Sequence, residues 1–286
     1  MRIVIIQEKG RHLKNENFRE ALNFHRAFKS LGVDSLVWGL NYESFNTPLE
    51  ILIEKDDVIL LLEDYEVNGW IPDLSNFKNL TLYWSRDSHC VPQAHVNTCK
   101  KHNINIVLNA IQHHQSYFQP TKTYWFPNAY PHDLICPMED IEQIHDVGFC
   151  GNYLNRKDWV DIIDTKFKVK RDIFVIGEDM VKAVNSYKIH FNRNISDDIN
   201  FRTFETLGCN TLLFTNYTPD LEKLFDTEKD MVLYKDGNDL LEKLTYYLNN
   251  PVEKNKISNS GFKTVTSKHT FVNRAKELIK IIKENI

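Results

Sequence analysis

Short apolar runs rich in β-branched residues alternate with amphipathic stretches along most of the chain. The first run, Arg2–Ile6, is followed by a stretch, residues 16–31, in which apolar side chains recur at helical spacing until Gly32. Runs that are apolar on both faces suit a parallel sheet with helices on each side, so this rhythm predicts an α/β fold. Further strands are predicted over residues 33–38, 57–62, 80–84, 105–108 and 123–126.

The rhythm is interrupted between residues 127 and 143, where prolines and acidic residues gather, and then restarts. Strands are predicted over residues 146–150, 172–176, 188–191, 211–215 and 231–234, and helices from about residue 157 and over 200–207, 237–249, 251–266 and 270–284. We therefore predict two Rossmann-like parallel-sheet domains, residues 1–135 and 136–270, that face a central cleft. Ligands of such sheets bind at the carboxyl ends of the strands.

Composition narrows the classes of function. The 35 basic and 39 acidic residues give a formal charge of −4, which offers no global basic field for nucleic acid or an anionic membrane. The five cysteines are scattered and form no C-x-x-C pair, as expected of reduced thiols in a cytoplasmic protein. No apolar stretch is long enough to cross a bilayer, so no membrane span is expected.

The segment 188–214 carries the most chemical information. A predicted strand ends near His190, Ser196, Asp197 and Asp198 are candidate helix caps, and a helix follows from about Asn200. Arg202 and Glu205 are three residues apart, so they share one face of that helix. Near a helix N-terminus, such a pair suits a nucleoside diphosphate, with the guanidinium on phosphate and the carboxylate on the ribose hydroxyls. The alternative is an ordinary surface salt bridge.

The same segment resembles the C-terminal domain of GT-B glycosyltransferases of the CgeB-like kind. The resemblance rests on N-x-R-x-F-E (Asn200 to Glu205), TLLFTNY, MVLYKD and a helical tail with His269, Thr270 and Arg274, preceded by YWFPNAYP at 124–131 and DVGFCGN at 146–152. It implies a GT-B fold whose last helix, residues 271–286, crosses back to the first domain. It also implies that Glu205 holds the donor ribose and Arg202 the diphosphate. Asp197 resembles the first of the paired acids of many GT-B enzymes.

Three further residues join the predicted donor side. The same resemblance places Gly151 and Asn152 in a small loop near the phosphates, where glycine lets the backbone approach a ligand closely. The alternative for these two residues is a plain turn. His190, at the end of the preceding strand, is also included among the candidate donor-binding residues.

A candidate base follows a strand of the first domain. The sequence LYWSRDSHCVP is similar to the segment that holds the catalytic aspartate of phage DNA β-glucosyltransferases, which also carry an arginine and a glutamate three residues apart. Asp87 is therefore our candidate general base and His89 its rival, since either side chain can take a proton from an acceptor hydroxyl. The alternative is that Asp87 caps the next helix or pairs with Arg86.

The remaining polar clusters give weaker signals. Lys9, Gly10 and Arg11, in the first loop, are candidates for contact with phosphate or acceptor, but the loop has no P-loop pattern and a solvated basic loop is the alternative. Asp87, His89, Cys90, His95 and Cys99 match no zinc spacing, so no metal site is predicted.

Together these features predict a glycosyltransferase that needs no cofactor. It would move a hexosyl or pentosyl group from a nucleotide-diphospho-sugar, UDP-sugar being the first candidate, to a hydroxyl of a glycan, a protein or modified DNA. The alternatives are a phage-type DNA glycosyltransferase that acts on hydroxymethylated bases, an epimerase, and a non-catalytic module that binds nucleotide-sugar. The expected location is the cytoplasm of a bacterium or of a phage-infected cell.

Overall fold

The computed structural model describes residues 1–63 and 69–286. It divides the chain into two compact units, which we call unit 1 (Met1–Pro127 with Phe271–Ile286) and unit 2 (Asn128–Thr270). Each unit is built on one parallel sheet with helices on its faces, as the sequence predicts. The expected domain boundary lay at residue 135; the structure places Asn128–Ile135 with the second unit.

Unit 1 contains a six-stranded sheet in the order β2-β1-β3-β4-β5-β6. The strands are β1 (Ile3–Ile6), β2 (Ser35–Trp38), β3 (Val58–Leu62), β4 (Thr81–Ser85), β5 (Ile106–Asn109) and β6 (Lys122–Trp125). The helices are α1 (Glu20–Ser30), α2 (Leu49–Leu52) and α3 (Pro92–Lys101), with 3-10 turns at Leu13–Phe18, Glu43–Asn46, Leu74–Asn76 and Gln112–Phe118. The single helix predicted over residues 16–31 is therefore a 3-10 turn followed by α1.

Unit 2 contains a five-stranded sheet in the order β11-β10-β9-β7-β8. The strands are β7 (His145–Gly151), β8 (Val169–Ile173), β9 (Tyr187–Phe191), β10 (Leu212–Thr215) and β11 (Val232–Leu233). The helices are α4 (Lys157–Asp164), α5 (Gly177–Asn185), α6 (Phe201–Gly208), α7 (Leu221–Leu224), α8 (Gly237–Asn249) and α9 (Pro251–Lys268), with a 3-10 turn at Leu154–Arg156. The strand predicted over 172–176 was placed too late, because the charged residues of β8, an edge strand, mask its start.

The last helix, α10 (Phe271–Lys283), packs inside unit 1 against α1. The Phe271 ring meets the ring of Phe24 edge-on, with 5.1 Å between centroids, and Trp84 lies against both. Arg274 donates from Nε to the carbonyl of Pro127 (2.8 Å). Since a fully buried phenylalanine contributes about 1.5–3 kcal/mol, these rings anchor the end of the chain to unit 1.

All five cysteines are free thiols, in agreement with the sequence prediction. Among the described residues, no helix combines the length and apolar character that crossing a membrane requires.

Candidate functional site

The carboxyl ends of β7 and β9 form the edge of the unit 2 sheet where the predicted donor residues gather. Strand β7 ends at Gly151, whose φ of 150° favours glycine. Three residues earlier, a Cβ on Gly148 would lie 2.2 Å from the ring of Tyr187, so only glycine lets this ring pack over the strand. The Tyr187 hydroxyl in turn donates to Asp172 on β8. Both glycines of β7 therefore serve the backbone and the packing of this edge.

Arg202 and Glu205 lie together on α6, as their spacing predicts, and form an ion pair. Arg202 also donates from Nε to the carbonyl of Cys150 (3.0 Å), which joins the helix to the end of β7. Their side chains are 20% and 14% exposed, so the pair lies at the sheet edge and is not a freely solvated surface bridge. Burial lowers the pKa of Arg202, but the Glu205 carboxylate outweighs it and the pKa is raised overall.

His190, near the end of β9, is completely buried. The backbone N–H of Cys150 donates to Nε2 of His190 (3.2 Å), so the ring proton sits on Nδ1 and is donated to Thr206 (2.6 Å). Burial, followed by the charge of Arg202, lowers the pKa of His190 to about 3, and the ring is therefore neutral. His190 thus links Cys150, near the end of β7, to Thr206 on α6.

A network of side-chain amides holds the loop between β9 and α6. Asn194 accepts the backbone N–H of Asn200 (3.1 Å) and donates to Thr215 Oγ1 (3.2 Å), while Asn216 accepts the backbone N–H of Asn194 (2.8 Å). Asn200 donates its own amide to Asn192 (3.3 Å). The sequence analysis missed this network, although a run of asparagines at two neighbouring strand ends is its signature.

The cap prediction for α6 was wrong. Asn200 occupies the N-cap position, and its side chain makes no capping hydrogen bond. Ser196 and Asp197 lie in the preceding turn, Asp198 follows that turn, and Ser196 adopts a φ of 56°. The entry of the helix is instead held by the amide network around Asn194.

Two further arginines, which the sequence analysis overlooked, stand at the same edge. Arg156 follows the β7 loop and donates to the carbonyls of Arg193 (3.0 Å) and Asn152 (3.4 Å). The guanidinium of Arg193 lies 4.4 Å from the ring centroid of Trp159. Burial lowers the pKa of Arg156; the Asp198 carboxylate opposes this lowering, and the charges of Arg193 and Arg202 add to it. A cation soon after a buried strand end is the signal that could have identified both residues.

Asn152 stabilises the β7 loop rather than pointing away from it. Its side-chain oxygen accepts the backbone N–H of Leu154 (3.1 Å), which is the hydrogen bond of an Asx turn. The alternative that Gly151 and Asn152 form a turn therefore describes their local structure. The same turn brings Arg156 back over the end of β7.

In unit 1, Asp87 lies exposed just beyond β4. Its backbone N–H donates to Glu63 (3.0 Å) at the end of β3. Partial desolvation and the Glu63 carboxylate raise the pKa of Asp87. The neighbouring His89 is half-buried, and its Nδ1 has no hydrogen-bond partner within residues 1–63 and 69–286.

The first loop of unit 1 is held by its own contacts. Lys9 pairs with Glu16 (2.7 Å). Gly10 has a φ of 98°, and a Cβ there would meet the Arg19 side chain at 3.1 Å. Arg11 is exposed. These observations fit the solvated-loop alternative as well as a phosphate contact.

A cavity of about 250 Å³ opens beside β3, β4 and α3. Its lining combines aromatic and polar groups, among them Trp70, Tyr83, His95 and Glu63. Such a mixture suits a small polar ligand with an apolar face.

Comparison with known proteins now identifies the family. The model of a family described as glycosyl transferase-like matches residues 131–280, just over half of the chain. The chain belongs to this glycosyl transferase-like family. No curated protein matches the sequence.

Solved structures show that this glycosyl transferase-like protein has the GT-B fold. Sucrose-phosphate synthase of Thermosynechococcus elongatus is similar with a TM-score of 0.70 and 11% identity, over 99% of this chain and 98% of that chain. HepE of Anabaena in complex with UDP-glucose has a TM-score of 0.64 and 11% identity, over 99% and 100%. A glycosyltransferase of Rickettsia africae has a TM-score of 0.67 and 9% identity, over 99% and 98%. The predicted fold class is thereby confirmed.

Proposed function

We propose that this family member transfers a sugar from a nucleotide-diphospho-sugar, with UDP-sugar as the first candidate, to an acceptor hydroxyl. The observation that carries the proposal is the Arg202–Glu205 ion pair. It is largely buried at the carboxyl edge of the unit 2 sheet, and Arg202 donates a hydrogen bond to the end of β7. Support comes from HepE, a protein of similar fold whose solved complexes contain UDP-glucose or UDP.

Glu205 would bind the donor ribose. A carboxylate has two oxygens that only accept hydrogen bonds, and the two ribose hydroxyls are neighbouring donors. Arg202 already holds Glu205 in place, so its carboxylate is oriented before the donor arrives. Such preorganisation avoids part of the entropy cost of binding.

Arg202, together with Arg156 and Arg193, would bind the diphosphate. Burial and the charges of Arg193 and Arg202 lower the pKa of Arg156 although Asp198 opposes them, and a diphosphate placed among the three arginines would offset their mutual repulsion. The same charges would stabilise the diphosphate as it leaves, so metal independence is part of the proposal. Gly151 would let the β7 backbone approach the phosphates, and the turn of Asn152 would hold Arg156 beside them. We also predict that Asn200 and Asp197 lie close to the bound donor.

Asp87 would serve as general base. It would take the proton of the acceptor hydroxyl as the acceptor oxygen bonds to the anomeric carbon and the bond from that carbon to the diphosphate oxygen breaks. A raised pKa makes Asp87 a better base than an ordinary surface carboxylate. His89, with its unshared Nδ1 among the described residues, is the rival. A turnover assay in which glycans, proteins and hydroxymethylated DNA are offered in turn identifies the acceptor.

The test is the affinity of the protein for UDP after Glu205→Ala. Loss of a charged hydrogen-bond partner costs about 1.5–3 kcal/mol, so the dissociation constant should rise by about 10- to 150-fold. Glu222→Ala, at an exposed position on α7, is the matched control and should bind normally. Circular dichroism establishes that each variant is folded. A folded Glu205→Ala protein that binds UDP like the wild type would refute the assignment.

A further inference from the structure

The junction between Arg86 and Asp87 turns two adjacent side chains in opposite directions. Arg86 is 4% exposed and points inward, where it pairs with Glu20 and donates to the carbonyl of Glu63 (2.7 Å). Asp87 is exposed at the carboxyl end of the sheet. The buried arginine thus anchors the strand end from which Asp87 projects.

The Glu63 side chain fixes the same junction from the neighbouring strand. One of its carboxylate oxygens, Oε2, accepts the backbone N–H of Arg86 (2.7 Å) and that of Asp87 (3.0 Å). The Glu63 side chain is 14% exposed, so water competes weakly for these bonds. Leu62 of β3 pairs in register with Trp84 of β4. Glu63 directly follows Leu62, so it lies beside the chain that continues from Trp84 to Arg86 and Asp87.

Charges on three elements surround the Asp87 carboxyl. Among the described residues of unit 1, desolvation and then the charge of Glu63, after β3, raise the pKa of Asp87, whereas Arg86 and His89, after β4, and His95, on α3, lower it. His95 is itself held by Tyr83 (2.8 Å between the hydroxyl and Nδ1). Burial lowers the pKa of His95, so this ring opposes Glu63 only weakly near neutral pH.

We propose that Glu63 is a positioning residue for Asp87, which clamps the backbone of Asp87 and places a second negative charge beside its carboxyl. The clamp fixes the backbone from which the base projects, and the charge makes Asp87 a stronger base. This inference rests on the proposed function only in the step that makes Asp87 the base; the clamp itself is a property of unit 1.

Two conservative variants separate the two effects. Glu63→Gln keeps an oxygen that can accept both N–H groups but removes the charge. Glu63→Asp keeps the charge but shortens the side chain and withdraws it from the two N–H groups. Glu50→Gln, at an exposed position on α2, is the control for loss of a carboxylate elsewhere in unit 1.

The first measurement follows the Asp87 carboxyl by ¹³C NMR as a function of pH in protein labelled at aspartate, with the resonance assigned by its loss in Asp87→Asn. Removing one adjacent like charge should lower the titration midpoint by about one pH unit in Glu63→Gln. Glu50→Gln should leave it unchanged. In Glu63→Asp the amide protons of Arg86 and Asp87 should exchange faster with solvent. A midpoint in Glu63→Gln equal to that of the wild type would overturn the charge effect, and unchanged exchange in Glu63→Asp would overturn the clamp.

The second measurement is the pH profile of UDP-glucose hydrolysis. The acidic limb in Glu63→Gln should move to lower pH by the same amount as the NMR midpoint, with an unchanged KM for UDP-glucose. If the NMR midpoint moves but Asp87→Asn hydrolyses UDP-glucose normally, the base assignment fails and the charge effect of Glu63 stands. If Asp87→Asn is inactive but the NMR midpoint does not move, the base stands and the charge effect of Glu63 fails.

Discussion

His190 makes the stability of unit 2 depend on pH in a way that can be measured directly. The ring is fully buried and neutral, and its pKa is lowered to about 3, whereas an unfolded histidine titrates near 6.5. Below about pH 6.5 the unfolded chain therefore binds a proton that the folded unit does not. The folded state consequently loses stability as the pH falls from about 6.5 towards 3.

The magnitude follows from these two pKa values. Between pH 7 and pH 5, linkage predicts that His190 alone removes about 2 kcal/mol of unfolding free energy. The folded-state pKa hardly affects this figure, because pH 5 lies well above it. A loss of this size is a large fraction of the total stability of a typical domain.

The assay is urea unfolding at pH 7 and pH 5, followed by circular dichroism and by fluorescence. His190→Gln removes the titrating ring and should lose about 2 kcal/mol less stability than the wild type on going from pH 7 to pH 5. Its stability at pH 7 should be lower, because an amide cannot satisfy both Cys150 and Thr206 in the same geometry. His113→Gln, at an exposed position, is the control. Equal losses in wild type and His190→Gln would refute a neutral, buried His190.

Two further substitutions test the backbone of unit 2. Gly148→Ala should destabilise the protein by about 1–3 kcal/mol, because the new methyl would overlap the buried Tyr187 ring; thermal unfolding measures this, and Gly237→Ala, where the methyl would stand 3.2 Å from the Ile162 side chain, should cost less. Phe174→Asn should raise stability by about 0.5–1 kcal/mol, because Phe174 is 72% exposed and has a φ of 55° that asparagine tolerates better; a lower melting temperature would contradict this.

Local patterns were enough to predict the fold class. The apolar runs Ile3–Ile6 and Val58–Leu62 are fully buried central strands, and their two-sided apolar character follows from packing between two layers of helices. The Arg202–Glu205 pair could also be predicted, because helical spacing alone makes these residues neighbours. The predicted bounds of β8 were wrong because β8 is an edge strand that pairs only with β7. Its sequence is therefore more polar than that of a central strand.

The parts that could not be predicted depend on residues distant in sequence. Arg156 meets Arg193 because β7 and β9 are adjacent in the sheet, and no local period records that pairing. The contacts of Asn194 with Thr215 and Asn216 could not be predicted either, because they join the ends of β9 and β10, which are distant in sequence.

The sequence by itself determined the alternation of strands and helices, the apolar faces and the local pair on α6, because these depend on side chains a few residues apart. Only the tertiary structure decided which strand ends meet. It thereby decided that Glu63 clamps Asp87 across 24 residues of chain and that Arg202 is tied to Cys150 across 52. Burial, too, is a property of the folded molecule: it makes His190 neutral, although histidine is ordinarily poised to titrate near neutral pH.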